Sequence, residues 1–303
     1  LFVFPAEAQE FTCTHSAIWK NATGHNLAVH PKTGEILVAA RDLQETAIVR
    51  TYFPNLSAST ECGFGKSDGI AVTISPSGKF TTVITSPPEP LSFTCTLFDA
   101  KLSTDNPLVK REIPQPELPL SGFSLGDHDN APAIMILNLE TKTVSTENLL
   151  TRQQTSTILT DDLQFLRFSH APQATSADFS LFAVGRTGPT STDPGFDLYN
   201  LPVLSKIDLD TEPLKNVSSI NFAQHSRTLL VGDETGQVVV WDLQQPEPRR
   251  ICLIQPSELL AKHEVRQLAL SKSGRYLAAK LDNDLVVWSL PDGRLLASLD
   301  RQN

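Results

Sequence analysis

A chain of 303 residues is long for one small domain, yet barrels and repeat folds fill that length as a single unit, and 40% hydrophobic against 19% charged residues excludes a disordered tail. The formal net charge is −9, and Lys or Arg never runs beyond a pair such as Lys110-Arg111 or Arg249-Arg250, so no basic stripe exists to hold a phosphate backbone and direct nucleic-acid binding is not expected. No apolar run reaches the ~20 residues of a spanning helix, which argues against membrane insertion.

The amino terminus, Leu1-Phe2-Val3-Phe4-Pro5-Ala6-Glu7-Ala8, has an A-x-A pattern before Gln9 that would suit the end of a signal peptide. Four apolar residues are too few for its hydrophobic region, and no basic segment precedes them. A cytoplasmic location is therefore expected, with a secreted or periplasmic one as the alternative if residues 1–8 end a leader. Phe2-Val3-Phe4 and Phe11-Thr12-Cys13-Thr14 read as strand material.

A recurring hairpin follows. Leu27-Ala28-Val29-His30-Pro31-Lys32-Thr33-Gly34-Glu35-Ile36-Leu37-Val38-Ala39 matches Val72-Thr73-Ile74-Ser75-Pro76-Ser77-Gly78-Lys79-Phe80-Thr81-Thr82-Val83. The pattern returns as Ile220-Asn221-Phe222 through Leu229-Leu230-Val231, and as Leu268-Ala269-Leu270-Ser271 through Tyr276-Leu277-Ala278. Each copy is an alternating apolar run, a polar turn usually holding Gly, and a second apolar run; period two makes strands and Gly supplies the positive φ of the turn. A third strand follows as Val238-Val239-Val240-Trp241-Asp242-Leu243 and as Leu285-Val286-Val287-Trp288-Ser289-Leu290, with the two Trp residues 47 apart. Weaker third strands are read at Ala47-Ile48-Val49-Arg50, Cys95-Thr96-Leu97-Phe98-Asp99, Ile134-Met135-Ile136-Leu137-Asn138-Leu139 and Phe196-Asp197-Leu198-Tyr199-Asn200-Leu201. Fourth strands fit at 204–209 and 294–299. Residues 100–119 and 185–195 break the rhythm as long loops, and the best helical pattern is 257–263.

Three segments carry chemical suggestions that their context weakens. Gly122-Phe123-Ser124-Leu125-Gly126 matches the nucleophile elbow, but Asp127-His128-Asp129-Asn130-Ala131-Pro132 cannot readily start the helix that an elbow requires. A strand and a polar loop is the preferred reading. Gly63-Phe64-Gly65-Lys66-Ser67 is like the end of a phosphate loop, with Thr60 where its first Gly should stand. Asp127, His128 and Asp129 have no second cluster to complete a metal site. Cys13, Cys62, Cys95 and Cys252 form no C-x-x-C pair; four core thiols are expected, two disulfides being the alternative for an exported chain. The sequons at Asn21, Asn55 and Asn216 carry little weight in so Ser/Thr-rich a chain.

At Val240-Trp241-Asp242-Leu243 the chain resembles the WD-repeat family, and residues 218–299 carry that likeness most specifically. The final unit is similar in placing His263 before its first strand and Asp282 six residues before Trp288. The resemblance implies a structural hydrogen-bond network inside a blade, built from His263, Asp282 and Trp288, with Trp241 and Asp242 at the matching place one unit earlier. The family's Ser/Thr position falls on Ala278 or Lys280, and the unit ending at Trp241 lacks the His, so the network departs from the family pattern.

The expected fold is an all-β propeller over residues 1–303 as one domain, with four antiparallel strands per blade. Seven blades are expected, because the amino-terminal strands need a blade and a ring is commonly closed by strands from both chain ends; six is the alternative. The expected role is a non-catalytic scaffold or interaction module for protein or peptide partners, basic ones slightly preferred, with no cofactor, no metal and no catalytic residue. The alternative is a propeller-fold enzyme, an exported hydrolase or lactonase with a metal at the channel mouth.

Overall fold

The computed structural model describes residues 22–299, apart from 31, 53–57, 76, 87–91, 100–101, 103–106, 115–119, 129–130, 139–142, 159–171, 177, 179, 187–194, 202–204, 224–226, 256–262, 272 and 283. The described strands form six sheets, each a meander of four consecutive antiparallel strands. The first holds β1 (Ala22–Val29), β2 (Ile36–Asp42), β3 (Thr46–Tyr52) and β4 (Ala58–Lys66). The second holds β5 (Gly69–Ile74), β6 (Phe80–Ser86), β7 (Ser92–Asp99) and β8 (Val109–Pro114). The third holds β9 (Leu120–His128), β10 (Ala131–Asn138), β11 (Thr143–Asn148) and β12 (Gln154–Ile158). The fourth holds β13 (Gln173–Thr175), β14 (Leu181–Arg186), β15 (Gly195–Asn200) and β16 (Ser205–Ile207). The fifth holds β17 (Val217–Phe222), β18 (Thr228–Asp233), β19 (Val238–Asp242) and β20 (Arg249–Ile254). The sixth holds β21 (Val265–Leu270), β22 (Tyr276–Leu281), β23 (Asp284–Ser289) and β24 (Leu295–Leu299).

Successive sheets meet mainly through their first strands: β1 touches β5, β9 touches β13, β13 touches β17, and β17 touches β21. The first strand of a sheet is therefore innermost and the fourth is its outer edge. The middle strands of the fifth sheet read as nearly continuous apolar runs because both of their faces are covered by neighbouring sheets. In β18 every residue is buried, and in β19 only Asp242 is partly open.

The core is a series of layers between sheets. Leu181, Ala183, Phe196 and Leu198 of the fourth sheet pack against Val217, Ile220, Leu229 and Trp241 of the fifth. Leu230, Val238 and Val240 of the fifth pack against Leu268, Leu277, Val286 and Trp288 of the sixth. Leu37, Ala39 and Val49 of the first pack against Ile70, Val72, Val83 and Phe98 of the second. The second and third sheets meet where Leu149 inserts beside Cys95 and Leu97, and where Arg111 pairs with the buried Glu147.

Several expectations change. The described residues make six blade-like sheets rather than seven, and none mixes strands from both chain ends: β24 pairs with β23, while β1 opens a sheet of its own. The segments 2–4 and 11–14 that motivated a seventh lie outside the described residues, as do Cys13 and residues 257–262. Ile134–Asn138, read as a third strand, belongs to the second strand β10; the third is β11, whose polar Thr-Val-Ser-Thr-Glu-Asn concealed it. The irregular segment 100–119 contains the fourth strand β8, masked by the charged Lys110, Arg111 and Glu112. Ser124 of the elbow-like motif lies in the middle of β9 opposite Met135, so it does not stand at a strand-to-helix turn. Cys62, Cys95 and Cys252 are free thiols, and the last two are buried.

Candidate functional site

The strand ends that join first to second and third to fourth strands make one face, and its turns share one construction. Ser75, Ser176 and Ser271 close their first turns alike: each backbone N–H donates five residues on, to Phe80, Leu181 and Tyr276 (2.8–3.0 Å), and each hydroxyl accepts the returning N–H (2.9–3.2 Å). His30 takes the same place in the first sheet, its Nδ1 accepting from Lys32 and Thr33 at 3.3 and 3.1 Å. Gly34, Gly78 and Gly274 adopt φ near +70°, the left-handed conformation the turn needs.

The third strand is locked to that turn. Leu201, Leu243 and Leu290, each following an aromatic–polar pair, donate their N–H to the carbonyls of Ser180, Arg227 and Arg275, all at 2.8 Å. This explains Trp241-Asp242-Leu243 and Trp288-Ser289-Leu290 physically. The aromatic faces the preceding sheet, the polar residue shapes the loop, and the Leu N–H bolts the loop to the first turn. Asp242 does the shaping by accepting the Gln244 N–H at 2.9 Å, while the Ser289 hydroxyl donates to Asp292 at 2.6 Å.

Turns are also tied between sheets. His30 Nε2 donates to the Gly78 carbonyl at 2.8 Å, which together with the two N–H groups on Nδ1 selects one neutral tautomer. Arg227 donates to the Ser180 hydroxyl at 2.6 Å and lies 3.8 Å from Asp178. Burial raises the Asp178 carboxyl, but hydrogen bonds from Ser176 and Ser180 and the charge of Arg227 outweigh it and hold the group below its ordinary value.

On this face a cleft of about 560 Å³ opens between the fifth and sixth sheets. Thr228, Asp242 and Gln244 line one side, Ser271, Ser273 and Arg275 the other, with Ile251 and Leu290 supplying apolar surface. Its walls include the bolted turns just described. Its size falls in the range of about 300–1,000 Å³ common for ligand sites.

The predicted network residues divide between the two faces. His263 Nδ1 lies 3.7 Å from Asp282 Oδ2 at the opposite end of the sixth sheet, with side chains 39% and 36% exposed. Asp282 has φ +40°, accepts the Glu264 N–H at 3.3 Å, and meets Arg266 Nε at 3.3 Å. Trp288 stands at the other end of β23, buried among Leu277, Val238 and Val240. Trp241 packs edge-on against Phe196 with ring centroids 5.3 Å apart, and Asp242 borders the cleft.

Sequence reasoning missed Asp233, which is fully buried at the end of β18, on the same face as Asp282. It accepts from Thr235 N, Thr235 Oγ1, Gln237 N and Lys215 N at 2.8–3.1 Å. Asp42 shapes the same turn of the first sheet by accepting from Gln44 and Thr46. The signal was the turn composition Asp-Glu-Thr-Gly, in which a carboxylate caps its own loop.

No family model matches the chain, and no curated protein matches it. Among solved structures it is similar to the β-propeller domain of Cps50 (Swd1) from Myceliophteria thermophila, at 13% identity and a TM-score of 0.65, over 94% of this chain and 90% of that one. The fold is a β-propeller. Its six described sheets are blades, and the cleft lies between the fifth and sixth blades on the face formed by the first and third turns. Among the described residues no helix is long and apolar enough to cross a membrane.

Proposed function

We propose that this propeller is a non-catalytic scaffold that holds protein or peptide partners on the turn face, with the cleft between blades five and six as a principal contact. The observation that carries this reading is the cleft itself. Exposed groups of mixed chemistry meet there: Arg275, Ser273 and Gln244 stand on turns that backbone and hydroxyl hydrogen bonds hold in place, and Ile251 stands on β20. A rigid frame bearing exposed polar and apolar groups loses little entropy when a partner seats, which favours recognition. The propeller fold supports the same kind of role. The net charge of −9 favours encounter with basic partner surfaces at long range.

The test is site-directed photo-crosslinking in cells of the source organism. A photo-reactive residue at Ser273 should capture a discrete protein partner. The same residue at Leu43, 78% exposed on the opposite face, should not capture it. Identical capture at both positions, or none at Ser273, contradicts the proposal.

A further inference from the structure

Among the described residues the fourth strand of each blade pairs on one side only, and such edges pair with other chains unless something blocks them. Five of the six described edges carry a block. β4 has two register shifts against β3 and bears Glu61 and Lys66. β8 bears Lys110, Arg111, Glu112 and Pro114. β16 is three residues long and bears Lys206. β20 opens on Arg249 and Arg250 and has a register shift against β19. β24 has a register shift against β23, which twists the edge.

β12 carries none of these. Gln154-Thr155-Ser156-Thr157-Ile158 has no charge and no proline, and it pairs with β11 over its whole length without a shift. Three of its five residues are β-branched, which holds an extended backbone. Every side chain except Thr157 is exposed, and Ile158 is 77% exposed.

The ladder shows which backbone groups point outward. Asn148 N–H donates to Gln153 O at 2.9 Å, and hydrogen-bonded pairs alternate along an antiparallel ladder. Thr155 and Thr157 therefore bond to β11, and Gln154, Ser156 and Ile158 turn their N–H and C=O groups to the free edge. We propose that β12 is a self-association edge on which a second copy of this chain adds its own β12, antiparallel, about a two-fold axis at Ser156. That register sets Ser156 against Ser156 and Gln154 against Ile158, and satisfies both backbone groups of all three outward residues. Charge selects the occupant. The same two-fold pairing about the start of β20 sets Arg249 and Arg250 close to their own copies, whereas β12 meets its copy without repulsion. The contact is small, so the dimer is weak and in exchange with monomer.

Sedimentation velocity of the full chain from low micromolar to several hundred micromolar tests this, comparing wild type with Ser156→Lys and Ser156→Pro. Lys sets like charges together at the axis. Pro removes an N–H that points away from β11, so the blade keeps its own ladder. Circular dichroism and melting confirm the fold of each variant, and the exposed Ser156→Lys keeps the test valid if the proline variant unfolds. The expected result is concentration-dependent dimer in wild type and a midpoint raised at least tenfold in the variants. Wild type that stays monomeric throughout, or a dimer with the same midpoint in a folded variant, overturns the proposal.

Discussion

Trp288 occupies in the sixth blade the position that Trp241 occupies in the fifth. Each opposes a buried leucine of its second strand, Leu277 and Leu229 respectively, and each lies at a register shift against its fourth strand. Each turns its indole into the layer shared with the preceding blade. The equivalence makes the two residues comparable probes of adjacent inter-blade layers. Replacing either by Ala should cost about 3–5 kcal/mol, the range for emptying a large aromatic site. Urea unfolding should show the loss for both variants, and Trp241→Phe should cost less because the contact with Phe196 survives in part.

Gly232 marks a close approach of blades five and six. A Cβ built there lies 2.4 Å from Val265 Cγ1 and 2.6 Å from its Cβ, and Val265 is fully buried. Gly232→Ala should therefore destabilise by about 1–3 kcal/mol through overpacking. Adding Val265→Ala should recover part of that loss, giving a coupling of at least about 0.5 kcal/mol in a double-mutant cycle. Strict additivity would mean that the two blades do not meet at these atoms.

Asp178 gives the inter-blade tie a pH signature. Its folded pKa lies below the ordinary 3.8, so its contribution is present above that value and disappears as pH falls through the lowered one. Asp178→Asn should melt earlier than wild type at pH 7. The difference should close at pH values well below 3.8, where the wild-type carboxyl is itself protonated. A constant difference across that range would assign the effect to packing and not to charge.

Cys95 should be chemically silent in the folded protein. Burial pushes its thiol up to about 12, against a small opposing pull from Arg111, so thiolate is scarce at pH 7–9. Iodoacetamide should modify half-buried Cys62 first and reach Cys95 only when the blade opens, as read by peptide mass mapping. Rapid native labelling of Cys95 would contradict the packing of the layer between blades two and three.

Much of the fold was legible because a covered strand has to be apolar and a tight turn has to use Gly, Ser or Asp. The hairpins at Leu27–Ala39, Val72–Val83, Ile220–Val231 and Leu268–Ala278 stand where the alternation placed them. The strands that escaped are the polar ones. β8 and β11 sit toward the outside of their blades, where Lys110, Glu112 and Ser145 cost nothing, so the hydrophobic signal is absent. The third blade misled for the same reason, since apolar β10 stood in for polar β11. Blade number depended on segments near the amino terminus and could not be fixed by pattern alone. The cleft was not visible in the sequence either, because Asp242 and Arg275 belong to different blades and no spacing rule connects them. Asp233 was within reach, and attention to the Trp positions drew the reading away from the turn opposite.

Quantitative co-purification of wild type against Arg275→Glu tests the central claim most directly, since Arg275 is exposed on the cleft wall and its side chain can change without disturbing the backbone bolts. Partner recovery should fall at least tenfold with the melting temperature unchanged. The same partners at the same yield would show that this face does not carry recognition.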